Sequence, residues 1–317
     1  MTRLRSFAWH PVVALLITVL VGVTTPLVAL TPSDPQGGAW GGWSASAETP
    51  DGKYMASVSL RGEVALWKPQ TGENLFLKRF QGVIFRSVTL NDTTVVAGGE
   101  DGSLKAFDER GKLLNFSPLP GTVRALAAGQ NGFWSACDDG KLRFESWQGR
   151  VVWTVALQRK APVLALALSK DGQWLAVSGE DGKLEVRSAQ DGHLFASWQV
   201  TNDWVRAVTA VPGGWLCGDD KGNLTTWGPW GEAKVTIPLG EPITALIVHQ
   251  NRWAAGSLHG TLWNGNLGQS PLASWPCSVG PVAGIFFQNN GWLTLGADGG
   301  LRLWKGFLGQ IQGEILP

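Results

Sequence analysis

Charge is scarce in this sequence. Asp, Glu, Lys and Arg make up 16% of its 317 residues, against about 25% in an average soluble domain. Basic and acidic residues nearly cancel, at 26 against 25, so no global field draws the chain to nucleic acid or to an acidic surface. Three cysteines cannot all pair with one another, which excludes a disulfide-built scaffold. Histidine is rare as well: His10, His193, His249 and His259 lie far apart, with no two at metal-ligand spacing on one element. The fingerprints of a serine-hydrolase elbow, a phosphate loop and a dinucleotide fold are missing. What abounds is glycine, 42 residues or nearly twice the usual share of about 7%, and tryptophan, with 18 against a single tyrosine. Hydrophobic residues at 44% are enough to build a core, which excludes a disordered chain.

One long uncharged run stands at the N-terminus. Arg3 and Arg5 precede an uncharged stretch from Pro11 to Leu30, through Leu16 and Leu20, that contains PVVALLITVLVGV. Its length reaches the upper edge of a signal-peptide core and falls within the range of a membrane span. Leu27-Val28-Ala29 is a poor cleavage site, so residues 1–30 read as a membrane anchor, with a cleaved signal and a secreted chain as the alternative. Positive charge before the span, and no Lys or Arg after it until Lys53, places the remainder on the non-cytoplasmic side in either case. Residues 31–42, with Pro and Gly, read as a linker.

From residue 43 to 317 the chain repeats. An Asp-Gly-like turn recurs at Arg61-Gly62, Asp101-Gly102, Asp139-Gly140, Asp181-Gly182, Lys221-Gly222, His259-Gly260 and Asp298-Gly299. Successive glycines are 40, 38, 42, 40, 38 and 39 residues apart. Each unit reads as four short strands: an alternating one (VRAL at 123–126, VLAL at 163–166, VRAV at 205–208), one opening with an aromatic, one after the Asp-Gly-like turn (LKAF, LEVR, LRLW), and a last one. Seven such units predict an all-β fold, a seven-bladed β-propeller of four-stranded antiparallel blades, preceded by one N-terminal hydrophobic helix. Fourth strands around Leu75–Phe80 and Gln310–Leu316 make every blade complete. The ring then closes by packing blade 1 on blade 7, unless a strand from residues 34–42 joins blade 7.

The unit VLALALSKDGQWLAVSGEDGKLEVRSAQDG (163–192) resembles the WD-repeat family. Asp101, Asp139, Asp181 and Asp298 stand where that family places its turn aspartate, six residues before the end of the third strand. No Gly-His pair opens a unit, and Lys follows Trp67 and Trp304 where the family has Asp. The buried hydrogen-bond network of well-formed WD repeats is therefore expected to be mostly absent. The unit AGGEDGSLKAFDERGKLLNF is similar also to quinoprotein-type repeats.

Repeat register separates structural residues from candidates for contact. Trp134, Trp174, Trp215, Trp253 and Trp292 open second strands, Trp67, Trp227 and Trp304 end third strands, and Trp153, Trp198 and Trp275 lie in fourth strands. These suit packing between blade faces. Trp147 and Trp230 fall in turns after the third strand and are candidates for partner contact. The acidic pairs Glu100-Asp101, Asp138-Asp139, Glu180-Asp181 and Asp219-Asp220 obey the repeat, as turn caps do. Arg86, Arg124 and Arg206 share one register in first strands, which line the channel of a propeller, with Phe85 and Trp204 beside them. Either this cluster receives an acidic peptide or another anion, or the arginines pair with the turn acids. No catalytic residue, metal site or cofactor is assigned.

The sequence thus points to a non-enzymatic protein-interaction scaffold on the non-cytoplasmic side of a membrane. It would serve as a subunit or assembly factor of a membrane-associated complex, with protein partners and no nucleic acid. The alternatives are a propeller enzyme or cofactor binder, lactonase-like or a degenerate quinoprotein, and an adaptor for envelope protein assembly.

Overall fold

The computed structural model describes residues 42–305 and 309–315. The expected anchor and its helix, with Pro11, Leu16, Leu20 and Leu30, lie outside the described residues, as does most of the expected linker. Among the described residues all regular structure is strand, and no helix is long and apolar enough to cross a membrane.

The strands form seven four-stranded antiparallel sheets, each built from consecutive strands of one unit. Blade 1 comprises Trp43–Glu48, Met55–Ser59, Glu63–Lys68 and Glu73–Arg79, and blade 7 comprises Val282–Gln288, Gly291–Gly296, Leu301–Lys305 and Gln310–Ile315. No described strand is shared between the termini. Buried apolar clusters lie between neighbouring blades, as a propeller requires. Trp43, Met55 and Trp67 of blade 1 meet Phe286, Leu293, Leu295 and Leu301 of blade 7. The same seam is tied by Ser46 Oγ donating to Ala283 O at 3.1 Å. Gln288 Nε2 also crosses it, donating to Gly52 O at 3.1 Å and to the Glu48 carboxylate.

The repeated turn glycine has a steric cause. From Gly62 to Gly299 the seven have φ between 69° and 90°, a region that L side chains avoid. The Gly62 carbonyl accepts the N–H of Phe80 at 2.8 Å, at the end of the fourth strand, and a Cβ on Gly62 would collide with the Phe80 carbonyl oxygen. Equivalent bonds run from Leu119 to Gly102, Leu157 to Gly140, Val200 to Gly182, Leu239 to Gly222 and Cys277 to Gly260. In blades 1 to 6 the second turn therefore binds the loop that leaves for the next blade. These turns and blade-to-blade loops make one face of the ring, called the mouth face below. The first-to-second and third-to-fourth turns make the opposite face.

The network expected to be mostly absent survives in fragments and is replaced elsewhere. Trp67 Nε1 donates to Ser57 Oγ and Trp304 Nε1 to Thr294 Oγ1, both at 2.9 Å. At the same register blades 3 and 4 carry Glu145 and Arg187, both buried. Ser135 Oγ donates to Glu145 at 2.7 Å, and burial still pushes the Glu145 carboxyl above its usual range. Arg187 pairs with buried Glu185 at 2.7 Å. Three of the four turn aspartates take arginine partners: Asp139 binds Arg143, Asp298 binds Arg302, and Asp181 binds Arg159 from the loop between blades 3 and 4, whereas Asp101 accepts the Ser103 N–H.

Candidate interaction surfaces

A backbone irregularity explains why one register of the first strand reaches the channel. In every blade the pairing of first and second strand slips by one residue at the mouth face, as between Phe85 and Ser87 or between Val205 and Ala207. The extra residues are Ser44, Arg86, Arg124, Leu164, Arg206, Thr244 and Ala283. A bulge re-aims the side chain that it leaves unpaired, and all seven line one channel cavity of about 280 Å³. The three arginines are thus brought to one site.

They arrive there already paired. Arg86 meets Glu100 at 2.5 Å, Arg124 meets Asp138 at 2.9 Å, and Arg206 meets Asp220, all partly exposed. Asp138 first, with Glu180 and Glu100 further off, holds the Arg124 guanidinium above its ordinary pKa. With Glu180 of blade 4 opposite uncharged Leu164, these two register positions carry three cations and four anions around the ring. Of the two readings of the arginine cluster, pairing with the turn acids is the arrangement seen in the structure. Ser44 and Thr244 also use their hydroxyls within the ring, donating to Phe85 O and Val282 O of the next blade, both at 2.9 Å.

Two expected contact residues belong to the core instead. Phe85 is 0% exposed and packs edge-on against Phe80 at 5.9 Å, because the residue before the bulge keeps the sheet's alternation and faces blade 1. Trp147 is also buried. Its turn folds back over the blade, so that Nε1 donates to Gly129 O at 3.2 Å and the ring meets Phe133 at 5.4 Å. Trp204 is exposed at the mouth face, with the Arg206 guanidinium 4.6 Å above its ring.

Trp230 lies on the opposite face, in a group that register alone did not disclose. Its ring is 5.1 Å from Trp174 and 4.7 Å from Phe195, and Trp174 and Phe195 are 4.8 Å apart. Phe195 is 59% and Trp230 43% exposed, so the triad presents aromatic faces to solvent between blades 4 and 5. Beside it a cavity of about 270 Å³ is lined by Ser169, Asp171, Pro212 and Pro229. Across Trp174 a second cavity, of about 710 Å³, reaches Trp134 and Phe144 and is edged by the amides of Gln130, Asn131 and Gln173. Asp171 borders both cavities; the Ser169 hydroxyl and then the Gln173 N–H hold its carboxyl below the usual range. Trp174 occupies the position that in blades 3, 5, 6 and 7 holds a buried tryptophan, which hid its second role. Phe195 had a readable signal, because it stands at an outward position of a fourth strand whose burial alternates.

Among the described residues no group of three or more His, Cys, Asp or Glu is placed to hold a metal ion. Cys137, Cys217 and Cys277 are free and buried, and burial pushes the Cys277 thiol up to about 12.

Comparison with known proteins supports the fold. The model of the anaphase-promoting complex subunit 4 WD40 domain matches residues 135–211. Telomerase protein component 1 of Rattus norvegicus is 26% identical over 300 residues, covering 83% of this chain and 11% of that protein. Apoptotic protease-activating factor 1 of Rattus norvegicus is 26% identical over 172 residues, covering 53% of this chain and 14% of its own. The chain thus spans a small part of either relative. The computationally designed Ika8 protein superposes with a TM-score of 0.64 at 20% identity, over 84% of this chain and 96% of its own.

Proposed function

Since the chain is a WD-repeat-like seven-bladed propeller, we propose that it is a non-enzymatic protein-interaction scaffold whose docking site is the aromatic cleft of blades 4 and 5. The exposed triad of Trp174, Phe195 and Trp230 carries this reading. Solvent-facing aromatics over a cavity are the features that dominate interface energies. Flat rings beside an ionised carboxylate suit an extended peptide segment that lays apolar groups on Phe195 and Trp230 and a cation beside Asp171. The uncharged run from Pro11 to Leu30, with Arg3 and Arg5 before it, supports attachment to a membrane with the propeller on its non-cytoplasmic side, as part of a membrane-associated complex. A photo-crosslinking amino acid at position 195 of the full chain, irradiated in intact membranes, is expected to give a discrete adduct with one protein. An adduct formed from position 86 and absent from position 195 would move the docking site to the channel mouth.

A further inference from the structure

The mouth face is divided into two unlike halves. Blades 2 to 5 carry the three arginine pairs and Glu180, whereas the corresponding ring positions of blades 6, 7 and 1 are Thr244, Ala283 and Ser44 at the bulge. At the end of the second strand those blades have Leu258, Ala297 and Leu60, where the charged half has Glu100, Asp138, Glu180 and Asp220. This arc exposes large apolar groups: Val279 is 82%, Leu60 46% and neighbouring Ile84 36% exposed. Two exposed arginines border it in blade 1, Arg61 beside Leu60 and Arg79 paired with buried Glu63, and the acids beside it are held by other groups. Asp298 binds Arg302 at 2.9 Å and accepts the Val279 N–H. Glu241 accepts from Ser257 Oγ at 2.6 Å and from Thr261 Oγ1 at 3.2 Å.

The described chain begins in the middle of this arc. Gly42 packs so closely on blade 7 that a Cβ would stand 2.5 Å from Ala297 O, and the Ala297 N–H is bound to Pro281 O at 2.8 Å, beside Val279. Residues 31–41 separate Gly42 from the uncharged run that ends at Leu30. At about 3.5 Å per residue that stretch reaches at most about 40 Å, so a run seated in a bilayer brings the propeller close to it by this side.

We propose that the blade 6–7–1 arc of the mouth face is a lipid-contacting surface, with Val279, Leu60 and Ile84 set into the interfacial layer of the membrane. The inference rests on the membrane attachment proposed above. Apolar side chains that cost free energy in water gain it at the headgroup–acyl boundary, and the exposed charges at the arc's edge, Arg61 and Arg79, are cations that suit anionic headgroups. Trp204 stands at the far side of the rim in the charged half, so the ring sits tilted, seam side down. The aromatic cleft on the opposite face is then left open to partners.

The test uses the full chain in vesicles of phosphatidylcholine and phosphatidylglycerol. Single cysteines replace Val279, Leu60 or, on the opposite face, Asp92, and carry an environment-sensitive fluorophore; the three native thiols are buried and leave the label at the new site. Flotation reports attachment. Nitroxide-bearing lipids are expected to reduce emission at least twofold at positions 279 and 60 and to leave position 92 unchanged, with aqueous iodide giving the reverse pattern. A chain that does not float overturns both the attachment and the arc. A chain that floats with iodide quenching positions 279 and 60 as fully as position 92 overturns the arc alone. Shielding from both quenchers also overturns it, since protein would then be the cover.

Discussion

Replacing Arg159 by alanine is expected to lower the thermal unfolding midpoint by roughly 6–12 °C. The Arg159 side chain is 2% exposed and reaches Asp181 from the loop between blades 3 and 4. Nε donates to Asp181 at 3.1 Å, Nη1 to Val177 O at 3.4 Å and Nη2 to Lys183 O at 3.3 Å. Truncation strands a largely covered carboxylate and two backbone carbonyls. Breaking such a pair from one side costs about 3 kcal/mol, because the remaining charge keeps its desolvation penalty, and each kcal/mol moves the midpoint of a domain this size by about 2–4 °C. Lysine at the same position keeps the charge but not the planar fork and should recover part of the loss. The rim arginines give the contrast. Arg86, Arg124 and Arg206 are 42%, 30% and 25% exposed, and screened pairs of this kind are worth about 0–1 kcal/mol each. Replacing all three with alanine should move the midpoint less than R159A alone. A midpoint shift below about 2 °C for R159A would show that the turn aspartates do not depend on their arginines.

Glu48→Gln is expected to stabilise the protein at pH 8 and to leave it unchanged at pH 4.5. Burial at the seam of blades 1 and 7 raises the Glu48 pKa to about 7; the Gln288 hydrogen bond opposes the shift and the nearby Asp51 adds to it. The folded-state pKa therefore lies above the unfolded one. Between about pH 4.5 and 7 the folded state binds the extra proton, so this group's contribution is full below pH 4.5 and is lost as pH rises through 7. A shift of that size, discounted for partial exposure, amounts to about 2–3 kcal/mol. Glutamine keeps an oxygen for the Gln288 N–H and carries no charge to desolvate. Melting curves of the two proteins should coincide at pH 4.5 and separate progressively to pH 8. Equal separation at all pH values would mean that Glu48 is not protonated in the folded seam.

Much of this architecture was readable because a propeller writes the same sterics seven times. The positive-φ glycine that accepts the fourth-strand N–H shows as a 38-to-42-residue period. The bulge residue shows as a register at which Arg86, Arg124 and Arg206 fall in line. Burial of individual side chains was less legible. Phe85 precedes the bulge and Arg86 occupies it, and adjacent letters do not say which of the two leaves the sheet. Trp147 stands in a turn, but whether a turn folds back over its blade depends on Phe133 and Gly129, which lie before it in the chain. The arginine partners were harder still. Arg159 and Asp181 are 22 residues apart, and no letter between them says that the loop entering blade 4 folds back onto that blade's Asp-Gly turn. The aromatic cleft failed to stand out because Trp174 obeys the repeat and Phe195 stands at a fourth-strand position that is also apolar in other units, as at Val152 and Leu272.

The central claim, that this propeller docks a protein through the blade 4–5 cleft, is tested most directly by affinity purification of the full chain from solubilised membranes. Wild type is compared with the double substitution F195A/W230A and with V151A/V152A, which removes apolar groups exposed by 46% and 56% on another blade. The account predicts that F195A/W230A loses at least nine-tenths of the co-purifying partner while V151A/V152A retains it, with both variants folded. Undiminished partner recovery by F195A/W230A would contradict it.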